Sequence, residues 1–214
     1  MILYDPLGGL VVDGAIVSKP RHCFLMTRLG KPVSNKIKSI NRRITKRCSI
    51  QKYAVIDAST MVTGRDFLSK IWKSIAAVPL AVAVLHEDMP EETRQNIFYE
   101  LGVAQAMGKE TVVVKSPNVK IPSDFVRTEY ISYDKNFNKN FDIYLRHLIN
   151  EIAPSYELIG DQLEKNPVLS LDYYRRSYLI TGDKNLRSKA KELINSKGFG
   201  IRSKNSVEAS LANF

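Results

Sequence analysis

Cysteine is nearly absent. Cys23 and Cys48 are the only two in 214 residues. They form no C-x-x-C pair and have no histidine at metal-ligand spacing, which argues against a zinc site and against a disulfide framework. Cys23 reads as a buried strand residue. Long apolar runs are also missing: no stretch reaches the ~18 residues that a membrane span requires. The first residues, "MILYDPLGGLVVDG", carry acids where a signal peptide would carry a basic segment, so the expectation is a cytoplasmic chain without membrane partners. Internal repeats and low-complexity tracts are absent too. The most telling gap is in negative charge. From Ala15 to Ile56 there is no acid, while Lys19, Arg21, Arg28, Lys31, Lys36, Lys38 and five further Lys or Arg residues supply eleven cations.

What remains is an ordinary globular composition, 44% hydrophobic with a formal charge of +10. A chain of this length can bury one core and carry an extension. A second cationic stretch, from Arg175 to Lys204, has nine Lys or Arg against Asp183 and Glu192. Positive fields of this kind attract polyanions, whether nucleic acid, phosphorylated nucleotides or an acidic partner surface. They are equally compatible with solvated helix faces. Nucleic-acid binding through residues 19–52 and 175–204 is therefore one class of function, although no aromatic stacking platform or base-reading motif accompanies the charge.

Between residues 20 and 153, short apolar runs alternate with amphipathic stretches, the pattern of β-α-β units around a parallel sheet. "HCFLMT" (22–27) is the first expected strand. Ser34 or Asn35 caps a helix in which Ile37, Ile40 and Ile44 recur at helical spacing with cations between them. "YAVIDAS" (53–59) is the second strand. Thr63 or Gly64 opens a helix whose apolar stripe includes Phe67, Leu68, Ile71, Trp72 and Ile75. "LAVAVL" (80–85) is continuously apolar, as a strand covered on both faces should be. A helix over 92–107 stops at Gly108, and "ETVVVK" and "EYISY" (129–133) follow as strands, the latter at an edge. "FDIYLRHLINEIAP" forms a long helix that Pro154 is expected to end or kink. The fold expected is a doubly wound, mostly parallel five-stranded α/β sheet, Rossmann-like or flavodoxin-like. Its parts are an N-terminal segment 1–19, an α/β domain 20–153 and a helical C-terminal extension 154–214.

In such a sheet, ligands bind beyond the C-terminal strand ends where the strand order reverses. The loop after the first strand offers Thr27, Arg28, Gly30 and Lys31 ahead of a helix N-terminus, a sensible place for phosphate but neither a G-x-G-x-x-G nor a P-loop. Asp57, Gly64 and Arg65 follow the second strand, and His86, Glu87 and Asp88 the third. "QNIFYELG" (95–102) then places Asn96 and Glu100 four apart on one helix face, beside Tyr99. Ile97, Leu101 and Ala104 keep the core spacing, which leaves Glu100 at the border of the packed face. It is either an ordinary surface glutamate or a partly desolvated carboxylate suited to a ribose diol or to a sugar C1 during glycosidic cleavage. Trp72, His147 and the tyrosines at 173, 174 and 178 read most simply as packing or interface residues.

The order "CFLMT", "AVIDASTMVTGRDFLSKIWKSI", "AVAVL", "QNIFYELGVAQAMGKETVVVK" and "IPSDFVRTEYISY" resembles bacterial TIR-like, nucleoside 2-deoxyribosyltransferase-like proteins over residues 20 to 135. Their hallmark is an Asn-Val-Phe-Tyr-Glu-Leu-Gly helix, then Ala-His-Ala-Leu-Gly-Lys, a valine-rich strand and an Ile-Pro-Phe-Asp segment. The resemblance implies that Glu100 is the carboxylate that cleaves N-glycosidic bonds, with Asn96 and Tyr99 beside it. It implies NAD or another nucleotide as substrate rather than a bound cofactor, and no metal. It also implies self-assembly or a defence-system partner protein, and a role in antiviral defence. The chain departs from the pattern at Met26-Thr27-Arg28-Leu29-Gly30, where the family has Met-Pro-Phe-Gly, and at His86 to Asp88, where it has Ala-Asp-Leu-Thr. Gln95 replaces the family's proline, so the helix is expected to begin a turn earlier. A nucleotide-sensing module that binds without turnover is the alternative to an enzyme.

Overall fold

A computed structural model describes residues 16–60, 67–121, 125, 129–163 and 165–196, which include all five expected strands. They are β1 (His22–Met26), β2 (Ala54–Asp57), β3 (Leu80–Leu85), β4 (Glu110–Lys115) and β5 (Glu129–Ser132). Every pairing is parallel, in the order β2-β1-β3-β4-β5. All six residues of β3 are buried, because this central strand has a neighbour on each side and helices on each face. β2 and β5 are the edges. The order reverses between β1 and β3, so their C-terminal ends diverge into different connections and leave a crevice.

Helix α1 (Asn35–Ile50) starts where Ser34 accepts a hydrogen bond from the Ile37 amide, and it buries Ile37, Ile40, Ile44 and Cys48. Cys23 and Cys48 are both free thiols enclosed between β1 and α1. Helices α2 (Phe67–Ala77) and α3 (Glu91–Ala106) cover one face of the sheet, and α1 covers the other together with α4 (Phe137–His147). This division follows from right-handed crossovers leaving β1 and β3 in opposite directions. Arg47 of α1 forks onto both carboxylate oxygens of Asp142 of α4 and fixes that pair. Helix α3 begins at Glu91, a turn before Gln95 as the sequence suggests, and Gly108 (φ 66°) closes its C-terminal turn.

Pro154 does not end the fourth helix. A π turn over Leu148–Ile152 leads directly into α5 (Ala153–Gln162), with Pro154 in the first turn of that helix. Proline has no N–H to donate and its ring crowds the preceding turn, so one wider turn absorbs the mismatch and the rod continues. Residues 153 and 154, where the extension was expected to start, lie inside this rod. Beyond it, α6 (Pro167–Thr181) packs back on α5. Gly160 makes that approach possible, since a Cβ there would stand 2.6 Å from the Tyr174 ring. Helix α7 (Asn185–Ser196) adds Leu186, Ala190, Leu193 and Ile194 to a small second core with Leu171, Tyr174 and Tyr178.

The tail docks beneath the sheet, at the N-terminal strand ends. The Arg21 amide donates to the Leu179 carbonyl (2.8 Å), and its guanidinium reaches the carbonyls of Thr181 (3.0 Å), Gln51 (2.6 Å) and Lys52 (3.3 Å). The Tyr53 hydroxyl donates to the Ile180 carbonyl at 2.7 Å. The opposite end of the sheet, where ligands bind in this class of fold, is left to its own loops. Among the described residues, no helix is long and apolar enough to cross a membrane.

Candidate active site

The crevice between β1 and β3 is bordered by polar side chains that bind one another across four elements. Thr27, just past β1, is buried, and its hydroxyl accepts a hydrogen bond from the Asn41 side-chain amide of α1 at 3.1 Å. Its hydroxyl thus fastens α1 to the strand end. His86, the first residue after β3, is also buried, and its Nδ1 accepts from the Asp88 amide at 3.0 Å. That bond assigns the neutral tautomer with its proton on Nε2. Glu87 accepts a hydrogen bond from Ser116, the residue after β4, and this bond holds its carboxyl below the usual carboxylate range. Asp88 faces Lys36 of α1 at 3.9 Å, so an ion pair spans the crevice.

Sequence reading gives Thr27, His86, Glu87 and Asp88 as loop residues at these strand ends but does not bring Lys36, Asn41 or Ser116 to them. Ser116 has a signal in principle, since it directly follows a strand. Lys36 and Asn41 have none until the register of α1 against β1 is known.

Arg28 is half-buried, and Gly30 and Lys31 are exposed, in the loop that leads to the Ser34 cap. A Cβ at Gly30 would meet nothing within 4 Å, so packing does not demand glycine there. Asp57 is engaged locally: its Oδ1 accepts from the Ser59 amide at 2.8 Å and from the Ser59 hydroxyl, forming an Asx turn at the end of β2. Gly64, Thr63 and Arg65 lie outside the described residues.

Glu100 occupies the third turn of α3, flanked by the buried Ile97, Leu101 and Ala104. In a helix the Cα–Cβ bond tilts toward the N-terminus, here the crevice end of the sheet. Glu100 is half-buried, and its surroundings withdraw water from the carboxyl and push its pKa up to about 7. Among the described residues it forms neither a hydrogen bond nor an ion pair. Tyr99 beside it is 49% exposed and leans on Trp72 of α2, with ring centroids 6.5 Å apart. The Trp72 indole N–H is buried with no hydrogen-bond partner among the described residues. Asn96, one turn before Glu100, is exposed.

A desolvated carboxyl that is half ionised near neutrality can accept a proton from water, or face a developing cation, without first breaking a salt bridge. A hollow of about 390 Å³ lies along β5 and α4, between Glu129, Tyr144, His147 and Glu151. It takes in none of the residues anticipated from the sequence. No protein-family model matches this chain, and no curated protein matches it significantly.

Proposed function

We propose that this protein cleaves the N-glycosidic bond of a phosphorylated nucleoside, with NAD as the substrate that suits its chemistry best. The observation that carries this reading is the Glu100 carboxyl, desolvated, unpaired among the described residues and raised to about 7. Surface glutamates do not lose water in this way, and a glutamate kept for stability would be paired. The motif order around "QNIFYELG" supports the same assignment by resemblance, as does the sheet order that opens a crevice between β1 and β3.

In this proposal the bond between C1′ of the ribose and the nicotinamide nitrogen breaks. The electron pair leaves with the nicotinamide, whose ring nitrogen thereby loses its positive charge. Glu100, ionised, faces the cation that develops at C1′. Water then adds to C1′ and gives up its proton to the carboxylate, which returns it to solvent. The products are ADP-ribose, nicotinamide and one proton. Arg28 and Lys31 supply positive charge for the pyrophosphate, and Asn96 and Tyr99 contact the ribose and the departing ring. A second copy of the chain or a partner protein completes the assembly.

The test is incubation of the purified protein with NAD while following nicotinamide release, in parallel with Glu100→Gln. Release by the wild type and none by the variant is the expected result. Saturable NAD binding without product would convert the proposal into a nucleotide-sensing module. A Glu100→Gln protein as active as the wild type would remove Glu100 from the reaction.

A further inference from the structure

We propose that the seam between the N-terminal sheet ends and the C-terminal helices holds a binding site for a phosphate-class oxyanion, formed by Lys109, Arg175 and Arg176. This site lies at the opposite end of the sheet from Glu100, so it goes beyond the glycosidase reading and does not depend on it.

Four chain segments meet at this place. The turn Gly108–Lys109 joins α3 to β4, and the Lys109 ammonium donates to the Ala76 carbonyl at the end of α2 (2.6 Å). Residues 18 and 19 cross the same helix end, where the Lys19 amide donates to the Ala77 carbonyl at 2.8 Å. From α6, Arg176 lies over the turn and donates to the Gly108 carbonyl at 3.2 Å. Arg175 reaches the Ser18 hydroxyl through Nε (3.4 Å) and Nη2 (3.3 Å).

The charges do not balance. Three cations converge, and the one carboxylate that acts on them, Asp172, is already bonded to Arg176 at 2.8 Å. Glu110, next in sequence to Lys109, is engaged by the Tyr156 hydroxyl. Lys109 at the end of α2 and Arg176 over Gly108 each have a structural explanation, as cations on backbone carbonyls.

Arg175 has none. Its guanidinium is largely withdrawn from water, yet among the described residues its only hydrogen-bond partner is one serine hydroxyl. A guanidinium presents five N–H donors in a planar fork, and removing them from water without an anion is costly. The complement of two guanidinium forks and an ammonium is a tetrahedral oxyanion, which accepts several charge-assisted hydrogen bonds at once. Lys109 reports the imbalance, since burial and then the neighbouring Arg175 and Arg176 depress its pKa to about 7. A bound dianion would reverse that depression.

The probe is inorganic phosphate, titrated into the full chain against sodium chloride at matched ionic strength. Two readouts are followed: melting temperature, and the lysine side-chain NMR titration of Lys109. Phosphate is expected to raise the melting temperature saturably, and to raise the Lys109 pKa by at least one unit. Arg175→Gln should lose both responses, while Lys139→Gln, at an exposed cation of α4, keeps them. Should Arg175→Gln fail to give a native circular dichroism spectrum, Lys109→Met replaces it and is judged on melting temperature alone. An equal effect of chloride, no saturable response in the wild type, or a response that the seam variants retain overturns the proposal. A response lost in Arg28→Gln and kept in the seam variants overturns it as well, and places the phosphate at the crevice instead.

Discussion

The two ends of this sheet are built on opposite principles. At the C-terminal end, polar side chains bind one another in pairs, Thr27 with Asn41, Glu87 with Ser116 and Asp88 with Lys36, while Glu100 nearby is desolvated and unpaired among the described residues. At the N-terminal end, cations bind backbone carbonyls: Arg21 holds three, two from the turn after α1 and one from the end of α6, and Lys109 and Arg176 hold one each. The first arrangement leaves loops free to accept a ligand. The second fastens a helical tail to a domain, because a guanidinium satisfies several helix-end carbonyls that would otherwise be buried without donors. The proposed chemistry and the attachment of the tail are thus separated by the length of the strands.

The sharpest way to break this comparison is to show that Glu100 does no chemistry. Glu100→Gln should lower the rate of nicotinamide release by roughly 10²–10⁴-fold, the range associated with one positioned acid–base group. A native circular dichroism spectrum and melting temperature would establish that the fold is intact.

At the other end, Arg21→Met removes three carbonyl partners and the contact of its guanidinium with the Tyr53 ring, 5.2 Å away. Leaving the two part-buried carbonyls without this donor should cost ~1–3 kcal/mol. Urea denaturation should show that loss while any NAD cleavage at 25 °C is retained. Equal damage to both would mean that the two ends are not separable.

The raised pKa of Glu100 gives a third test with a definite sign. In the proposed reaction the ionised form acts, so activity should rise about tenfold from pH 6 to a plateau above pH 8. Stability should move the other way. The folded chain retains this proton up to about 7 and the unfolded chain releases it near 4.5, so the native state loses stability as pH rises through that window. Glu100→Gln should therefore be the more stable protein at pH 8, by up to ~3 kcal/mol, with the difference vanishing near pH 4. Melting curves at the two pH values check it.

The smallest effect is expected at the crevice ion pair. Lys36 and Asp88 are 3.9 Å apart and Lys36 is largely exposed. Lys36→Ala should change stability by less than ~0.5 kcal/mol. A larger loss would reveal a role for this pair in holding the crevice shut.

Much of the architecture could be read without coordinates, because it rests on local pattern. Continuous apolarity marks β3 as central, Ser34 marks the start of α1, Gly108 marks the end of α3, and the spacing of Ile37, Ile40 and Ile44 identifies the buried face of α1. Each is fixed by neighbours within a turn or two. Pro154 shows the limit of that logic: proline was expected to end or kink the helix, and only the structure shows that a π turn interrupts the α pattern while the rod continues. Glu100 was legible as a residue on the border of a core face and as a candidate for partial loss of water, but the absence of a partner among the described residues was not. Thr27 and Asp57 read as ligand contacts because they follow strands, and only the fold shows that the first also bonds Asn41 of α1 and that the second accepts within its own turn.

The sequence by itself determined which segments are strands and helices, that the sheet is parallel and covered on both faces, and that the positive charge is concentrated at 15–56 and near the C-terminus. These follow from periodicity and composition, which need no partner distant in the chain. Only the tertiary structure decided that the tail docks beneath the sheet rather than over the crevice. It alone paired Arg21 with carbonyls up to 160 residues away and gathered Lys109 with Arg175 and Arg176. Whether a charge is solvated, paired or stranded depends on what packs against it from elsewhere, and strand and helix patterns carry no record of that.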